Sequence, residues 1–341
     1  MSRNHEVTAP QPLLDEHGAL REPGWSRQLL QTYDRRQIRA PKFRIKEWDY
    51  YIVLSEKFGV AMTISDDGYI GLQSATLLDF TKPWEHTATV LSPFPMGGLR
   101  LPADSGSGTT AFRNKQVQMS FVVTPEQRHL TCRFANFLDG KPFSCDIRLA
   151  QPAADTMVIA TPWKGKKTAF YYNQKINCLP ASGVASFDGQ EYVFDPATCF
   201  GSLDWGRGVW TYDNTWYWAS GNSVIDGKPF GFNLGYGFGD TTAATENMLF
   251  FDHRAHKLDD IEFHIPSDSY TKPWQFSSSD GRFETEFTPI IDRAAKINAG
   301  VILTDQHQVF GRMSGQAILD DGAVLQMRDL LCFAENVHMR Y

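Results

Sequence analysis

A chain of 341 residues with 42% hydrophobic and 21% charged residues has a globular composition and more length than one core usually organises, so two cores are expected. The sequence contains no run of about 18 apolar residues that would span a bilayer. A formal charge of −6 and a pI near 5.9 exclude a general phosphate-backbone binder, so no nucleic-acid partner is expected.

The opening residues show no basic region followed by an apolar stretch and a cleavage site, which makes a cytoplasmic location the expectation. Cys132, Cys145, Cys178, Cys199 and Cys332 are odd in number and form no CxxC pair. That argues against a disulfide framework or structural zinc and reads them as buried small apolar residues. Aromatic residues reach 13%, more large rings than small cores readily absorb, so some are expected to line a pocket.

Residues 1–40 are rich in Pro and charge; the stretch PGWSRQLLQTYDRRQI from Pro23 is at best a short helix packed outside the first barrel. From residue 41 to 185, runs such as FRIKEWDYYIVLS, FGVAMTIS, KQVQMSFVVT and HLTCRFANF read as strands separated by turn formers, hence a succession of hairpins. Between them Ser92 to Thr110 is rich in Gly, Pro and Ser and long enough to cover a barrel mouth. The cluster Lys164, Lys166, Lys167 reads as a solvated turn. Residues 186–341 repeat the texture without any long 3.6-residue period, so a second antiparallel barrel or half-barrel is expected. Asp139-Gly140-Lys141-Pro142-Phe143 recurs as Asp226-Gly227-Lys228-Pro229-Phe230, an echo that either a duplicated hairpin or turn chemistry alone explains.

The stretch from Gly201 to Asn247 holds most of the residues suited to chemistry. Asp204, Trp205 and Arg207 sit among Gly206 and Gly208, which favours a fixed carboxylate beside a guanidinium, either closing a barrel end or facing a ligand. Strand alternation puts Trp216 and Trp218 on one face and Tyr217 on the other, and that wall faces either a barrel interior or a core. Asn233, Gly235 and Gly237 share a face on which small residues leave room, and Tyr236 lies beside them. Glu246 and Asn247 point oppositely if extended. Glu246 in apolar surroundings suits a general acid that Asp204 complements; otherwise it caps amides or pairs with Lys257. Tyr171, Tyr172, Asn173 and Lys175 form a second polar and aromatic cluster at the junction between the halves. His253, His256 and His264 lack metal-ligand spacing, and nucleotide-binding motifs are absent, so neither metal nor cofactor is assigned.

At FYYNQKINCLPASG, LDWGRGVW, WYWASG, FNLGYGFGD and ATENMLFFD the chain resembles, over nearly its full length, an uncharacterised, mostly bacterial family known as domain of unknown function 2804. More distantly, the DWG turn followed by a Trp-rich strand is similar to two-barrel lipocalin-like proteins that include carotenoid hydratases and Diels-Alderase-type cyclases. The resemblance implies a mainly β fold of two lipocalin-like (calycin-type) antiparallel barrels or half-barrels packed together. It also implies a bulky, largely apolar small-molecule partner handled by acid/base residues without a cofactor. No catalytic residue carries over from those enzymes; joined to the reading of the residues themselves, the expected function is a lyase, hydratase, isomerase or cyclase using Asp204 and Glu246, with Trp205, Arg207, Trp216, Trp218, Asn233, Tyr236, Asn247, Asn173 and Lys175 as ligand contacts. A non-catalytic carrier and a carbohydrate-active protein are the alternatives.

Overall fold

Two-residue periodicity decides where every strand sends its side chains. Along Ile45–Leu54, Tyr51 and Val53 enter one core while Tyr50, Ile52 and Leu54 leave it by the opposite face. Such strands make up nearly all regular structure in the computed structural model, which describes residues 3–300 and 302–340.

The first large sheet runs, by hydrogen-bonded neighbours, Trp84–Pro93, Ile70–Asp79, Phe58–Asp66, Ile45–Leu54, Phe200–Val209, Lys166–Phe187, Lys141–Ala150, Gln127–Leu138, Val117–Val123 and Gly108–Arg113. It curls until the His86 ring meets the Phe137 carbonyl at 2.7 Å, linking Trp84–Pro93 to Gln127–Leu138. The second runs Arg254–Lys257, Met248–Phe251, Lys228–Tyr236, Asp213–Ile225, Val324–Arg340, Leu303–Ile318, Phe283–Asn298, Trp274–Ser278 and Ile261–His264. Its curl brings the Phe263 N–H to the Tyr236 hydroxyl at 3.2 Å. The fold is thus two curled antiparallel half-barrels. Phe200–Val209, which carries the DWG residues, is paired on both sides within the first sheet, so the change of sheet falls between Val209 and Asp213 rather than at residue 186.

Three apolar layers result. Tyr51, Met62, Phe121, Phe143 and Trp205 fill the first half-barrel, and Phe230, Phe232, Trp274 and Phe287 fill the second. Between the sheets lies a third layer with Tyr50, Tyr171, Trp210, Trp216, Trp218, Phe238, Phe310 and Phe333. The two DGKPF segments are equivalent hairpin tips. Asp139 and Gly140 have φ of 53° and 78°, Asp226 and Gly227 have 52° and 75°, and the following Phe143 and Phe230 are both buried.

The N-terminal segment departs from expectation. No α-helix forms after Pro23; Gly24–Ser26 instead pairs with Met157–Trp163, and only 3-10 turns appear, at Arg35–Gln37 and Lys42–Arg44. Nor does the segment stay outside, because Leu13, Leu14 and Tyr33 enter the first core and Trp25 the layer between the sheets. It straps the halves together, with His5 N–H donating to the Ala243 carbonyl at 2.8 Å and Arg27 to the Ala255 carbonyl at 2.7 Å. The five cysteines are buried and unpaired.

Gly206 is required by the layer between the sheets. A Cβ there would lie 1.9 Å from Trp48 Cζ2, and Trp48 is itself packed against Tyr171 and Trp210. Gly206→Ala is expected to cost about 1–3 kcal/mol or more through overpacking. Gly140→Ala, whose Cβ meets nothing within 4 Å, loses only the left-handed backbone term of about 1–2 kcal/mol. Urea unfolding of the two variants checks this; a smaller loss for Gly206→Ala would mean that Trp48 is free to move.

Candidate active site

Strand register builds a polar patch on the facing surfaces of the two sheets. In the first sheet Tyr50, Asp204 and Lys175 are cross-strand neighbours in one row. In the second, Gly235, Trp218, Glu335, Gln308 and Arg293 form another. Because residues two apart share a face, Asn173 joins Lys175 and Trp216 joins Trp218.

Lys175 Nζ lies 2.9 Å from Asp204 Oδ2 and 3.8 Å from the centre of the Trp218 ring, so ammonium, carboxylate and indole face form one buried unit. Asn173 Nδ2 donates to Asp204 Oδ1 at 2.6 Å. Trp218 Nε1 donates to Asn233 Oδ1 at 2.7 Å, and Asn233 Nδ2 to the Glu246 carbonyl at 2.8 Å. Trp216 Nε1 donates to Glu335 Oε1 at 3.0 Å, and Gln308 Nε2 to Glu335 Oε2 at 3.0 Å.

Glu246 completes the group from the segment that follows Lys228–Tyr236. The room left by the small residues is used by its carboxylate, since a Cβ on Gly235 would lie 2.3 Å from Glu246 Oε1. Burial raises the Glu246 pKa above the usual carboxylate range, and Asp204 adds to the rise against the opposing charge of Lys175. Burial likewise pushes Glu335 up to about 7, opposed by its Trp216 hydrogen bond and by Lys175 and Arg293. Three carboxyl groups and one lysine therefore share a water-poor layer, two of them held toward the acid form. Tyr171 stands beside them, its hydroxyl held well above its ordinary value by burial and by the nearby Glu246, Asp204 and Glu335.

Of the residues singled out in the sequence, Asp204, Glu246, Asn173, Lys175, Trp216, Trp218 and Asn233 meet here. The tryptophan wall faces the layer between the sheets rather than either half-barrel interior. Trp205 and Arg207 do not join it. Residues 204 and 207 are three apart in a strand and point oppositely, so the expected Asp204–Arg207 pair does not form. Arg207 instead enters the first half-barrel, 3.0 Å from Asp49, and its remaining donors go to the carbonyls of Trp48, Gly206 and Pro102. Pro102 belongs to the loop between Trp84–Pro93 and Gly108–Arg113, which the Arg207 guanidinium and a Ser105–Gln174 hydrogen bond hold against the first sheet. Tyr236 stacks on Tyr217 on the second sheet's inner face. Asn247 accepts from Gly235 N–H at 2.8 Å and donates to the Asp259 carbonyl at 2.7 Å. Lys257 does not hydrogen-bond Glu246; it donates to Thr245 Oγ1 and the carbonyls of Asn247 and Leu258, and burial lowers its pKa to about 7.

Sequence reasoning missed Glu335, Gln308, Tyr50 and the part played by Tyr171. For Glu335 a signal existed: Leu331, Phe333, Glu335 and Val337 alternate on one face, and a lone carboxylate there interrupts an apolar stripe. Elsewhere, a surface depression of about 710 Å³ is lined by Arg27, Asp155, His253, Arg254, His256 and Asp320. Within it Arg27 lies 3.2 Å from Asp155 and His256 lies 3.3 Å from Asp320.

These features define a protein of two antiparallel half-barrels with an acid/base cluster buried where they face each other. The chain belongs to the family described as Domain of unknown function (DUF2804), whose model matches residues 4–341. No curated protein matches it. Among solved structures it is similar to kievitone hydratase from Nectria haematococca, at 11% identity over 87% of this chain and 88% of that one, with a TM-score of 0.48. A putative AttH from Nitrosomonas europaea gives 13% identity, coverage of 86% and 92%, and a TM-score of 0.44. CghA with Sch210972 gives 10%, 99% and 97%, and 0.42.

The raised Glu335 pKa fixes the sign of a pH effect. Between its ordinary value of 4.5 and about 7 the folded chain holds a proton that the unfolded chain has lost, so stability falls as pH rises through that window and levels off above it. In denaturant unfolding, Glu335→Gln is expected to gain on the wild type across this window by at most about 1.4 kcal/mol per pH unit. A stability difference independent of pH would show that Glu335 does not titrate there.

Proposed function

We propose that this chain is a cofactor-independent acid/base enzyme, a lyase, hydratase, isomerase or cyclase, acting on a bulky, largely apolar small molecule bound between its two half-barrels. The observation that carries this reading is the convergence of Glu335 and Glu246, both with raised pKa values, on the Lys175–Asp204 pair. A purely structural ion pair needs no neighbouring carboxyl groups whose acid forms are favoured, one of them, Glu335, poised at about 7. General acid catalysis needs such a group close to the working pH.

In this reading Glu335 donates a proton to the substrate and its own carboxylate then takes one back from it, so the enzyme ends each turnover in its starting protonation state. Lys175, held by Asp204 and the Trp218 face, stabilises negative charge that develops on a substrate oxygen. Trp216, Trp218 and Trp210 supply flat apolar walls. The carbohydrate reading fits less well, because the tryptophans are enclosed between sheets rather than displayed along an open groove.

Protein purified from its native host, examined by native mass spectrometry and organic extraction, identifies a retained ligand. That compound is then supplied to the wild type and to Asp204→Asn, Glu246→Gln and Glu335→Gln. An enzyme loses at least 10²-fold in turnover with Glu335→Gln, the usual scale of general acid catalysis, while keeping its fold. Retention of the compound without any turnover by the wild type establishes a carrier instead. Retention of a sugar removes the apolar-ligand reading.

A further inference from the structure

The segment linking Lys228–Tyr236 to Met248–Phe251 places Phe238 between two glycines with left-handed backbones, Gly237 at φ 95° and Gly239 at φ 62°. Phe238 is buried at the margin of the layer between the sheets, beside exposed Gly237, with one ring from each sheet against it. Tyr171 of the first sheet stacks at 4.6 Å with an interplanar angle of 7°, and Trp216 of the second at 4.9 Å and 26°. Trp210 closes the edge at 4.9 Å and 62°. A single aromatic ring from a non-strand segment thus fills a flat slot whose two walls come from the rigid sheets.

The polar residues beside this slot are incompletely used. Tyr171 OH, Glu246 Oε2 and Asn173 Oδ1 are buried and make no hydrogen bond to a described residue, although buried polar atoms are nearly always paired. Asp240 N–H is fixed to the Pro162 carbonyl at 2.6 Å. Beyond it His5 and Asn4 hold Ala243 and Thr245. Gly237 and Gly239 lie against the carbonyls of Thr215 and Pro162, where a Cβ would come within 2.4 and 2.7 Å, and their left-handed backbones make them the two positions about which the segment carrying Phe238 can turn.

Resting on the reading of the intersheet cluster as the site, we propose that the slot between Tyr171 and Trp216 is a subsite for a planar ring of the ligand, with Phe238 as its displaceable occupant. The ligand class that fits is a flat conjugated compound bearing a hydroxyl or carbonyl oxygen. Its ring replaces Phe238 between the two walls, and its oxygen meets Tyr171 OH and, where it is a hydroxyl, donates to Glu246 Oε2. Phe238 swings on Gly237 and Gly239 and so opens a way into a layer that is otherwise closed.

The probe is 2-naphthol, with naphthalene as its apolar counterpart, titrated by calorimetry and tryptophan fluorescence. Phe238→Ala is expected to bind one 2-naphthol at least tenfold tighter than the wild type and at least fivefold tighter than naphthalene. Adding Tyr171→Phe removes that preference. Phe232→Ala, which empties a comparable volume in the second core, shows no such preference. If Phe238→Ala binds neither compound, or binds both alike, Phe238 is an ordinary core ring and the proposal fails. Should Phe238→Ala not fold, Phe238→Leu takes its place. Should neither fold, amide exchange in the wild type decides: faster exchange across 237–247 with saturating 2-naphthol supports displacement, and unchanged exchange overturns it. Glu335→Gln in the Phe238→Ala background leaves 2-naphthol binding intact, so loss of the slot and loss of acid catalysis are separate results.

Discussion

Removing an ammonium and a carboxylate from water costs several kcal/mol per ion, and the Lys175–Asp204 pair bears that cost in the layer where the two sheets meet. Three contacts offset it: the 2.9 Å ion pair, the Asn173 amide at 2.6 Å and the Trp218 face at 3.8 Å. Two of these belong to the first sheet and one to the second. The pair is therefore satisfied only when both half-barrels are in place and facing each other in this register. Tyr50 stands on the other side of Asp204 in the same row and reaches Gln308 of the second sheet at 3.4 Å. The polar rows thus align the sheets, while the surrounding rings supply most of the apolar burial.

Once Lys175 and Asp204 have neutralised each other, Glu246 and Glu335 have little opposing charge left to lean on. Their neutral forms are favoured for different reasons. Glu246 has an oxygen with no partner among the described residues, so burial dominates. Glu335 accepts from Trp216 and Gln308, contacts that favour its charged form, yet burial still outweighs them. A carboxyl whose opposing influences nearly balance at neutral pH changes protonation in response to small changes nearby, including the arrival of a ligand that expels water or brings charge.

How much of this was legible in the sequence follows from the range of each physical rule. Alternation within one strand is local, so it put Trp216 with Trp218; it has no hold on Glu246 and Asn247, which precede the strand Met248–Phe251 and both reach Gly235. The same rule, applied across residues 204 and 207, would have forbidden the Asp204–Arg207 pair; reading Gly206 and Gly208 as a turn suspended it. Those glycines lie in a continuous strand, where Gly206 makes room for Trp48. Register is non-local. That Lys175 neighbours Asp204, and Glu335 neighbours Trp218 and Gln308, depends on pairings between segments far apart in the chain, and no spacing in the sequence encodes them. The N-terminal segment was opaque for another reason. Leu13, Leu14 and Tyr33 are buried from irregular backbone, which leaves no period to read.

Two buried polar groups, one within the first half-barrel and one between the sheets, differ in how fully their members are satisfied. Arg207 places every N–H on a protein acceptor, and its partner Asp49 also accepts from Thr110, so this pair has nothing to offer a ligand. It ties Pro102, and with it the loop between Trp84–Pro93 and Gly108–Arg113, to the barrel wall. Between the sheets the balance reverses: strong donors and acceptors are gathered at high desolvation cost, and Tyr171, Asn173 and Glu246 each keep an atom unspent. A fold selected for stability alone would gain by pairing those atoms or by replacing them with apolar groups of similar shape. Their presence beside a ring held between two glycines is the feature on which the proposed ring subsite rests.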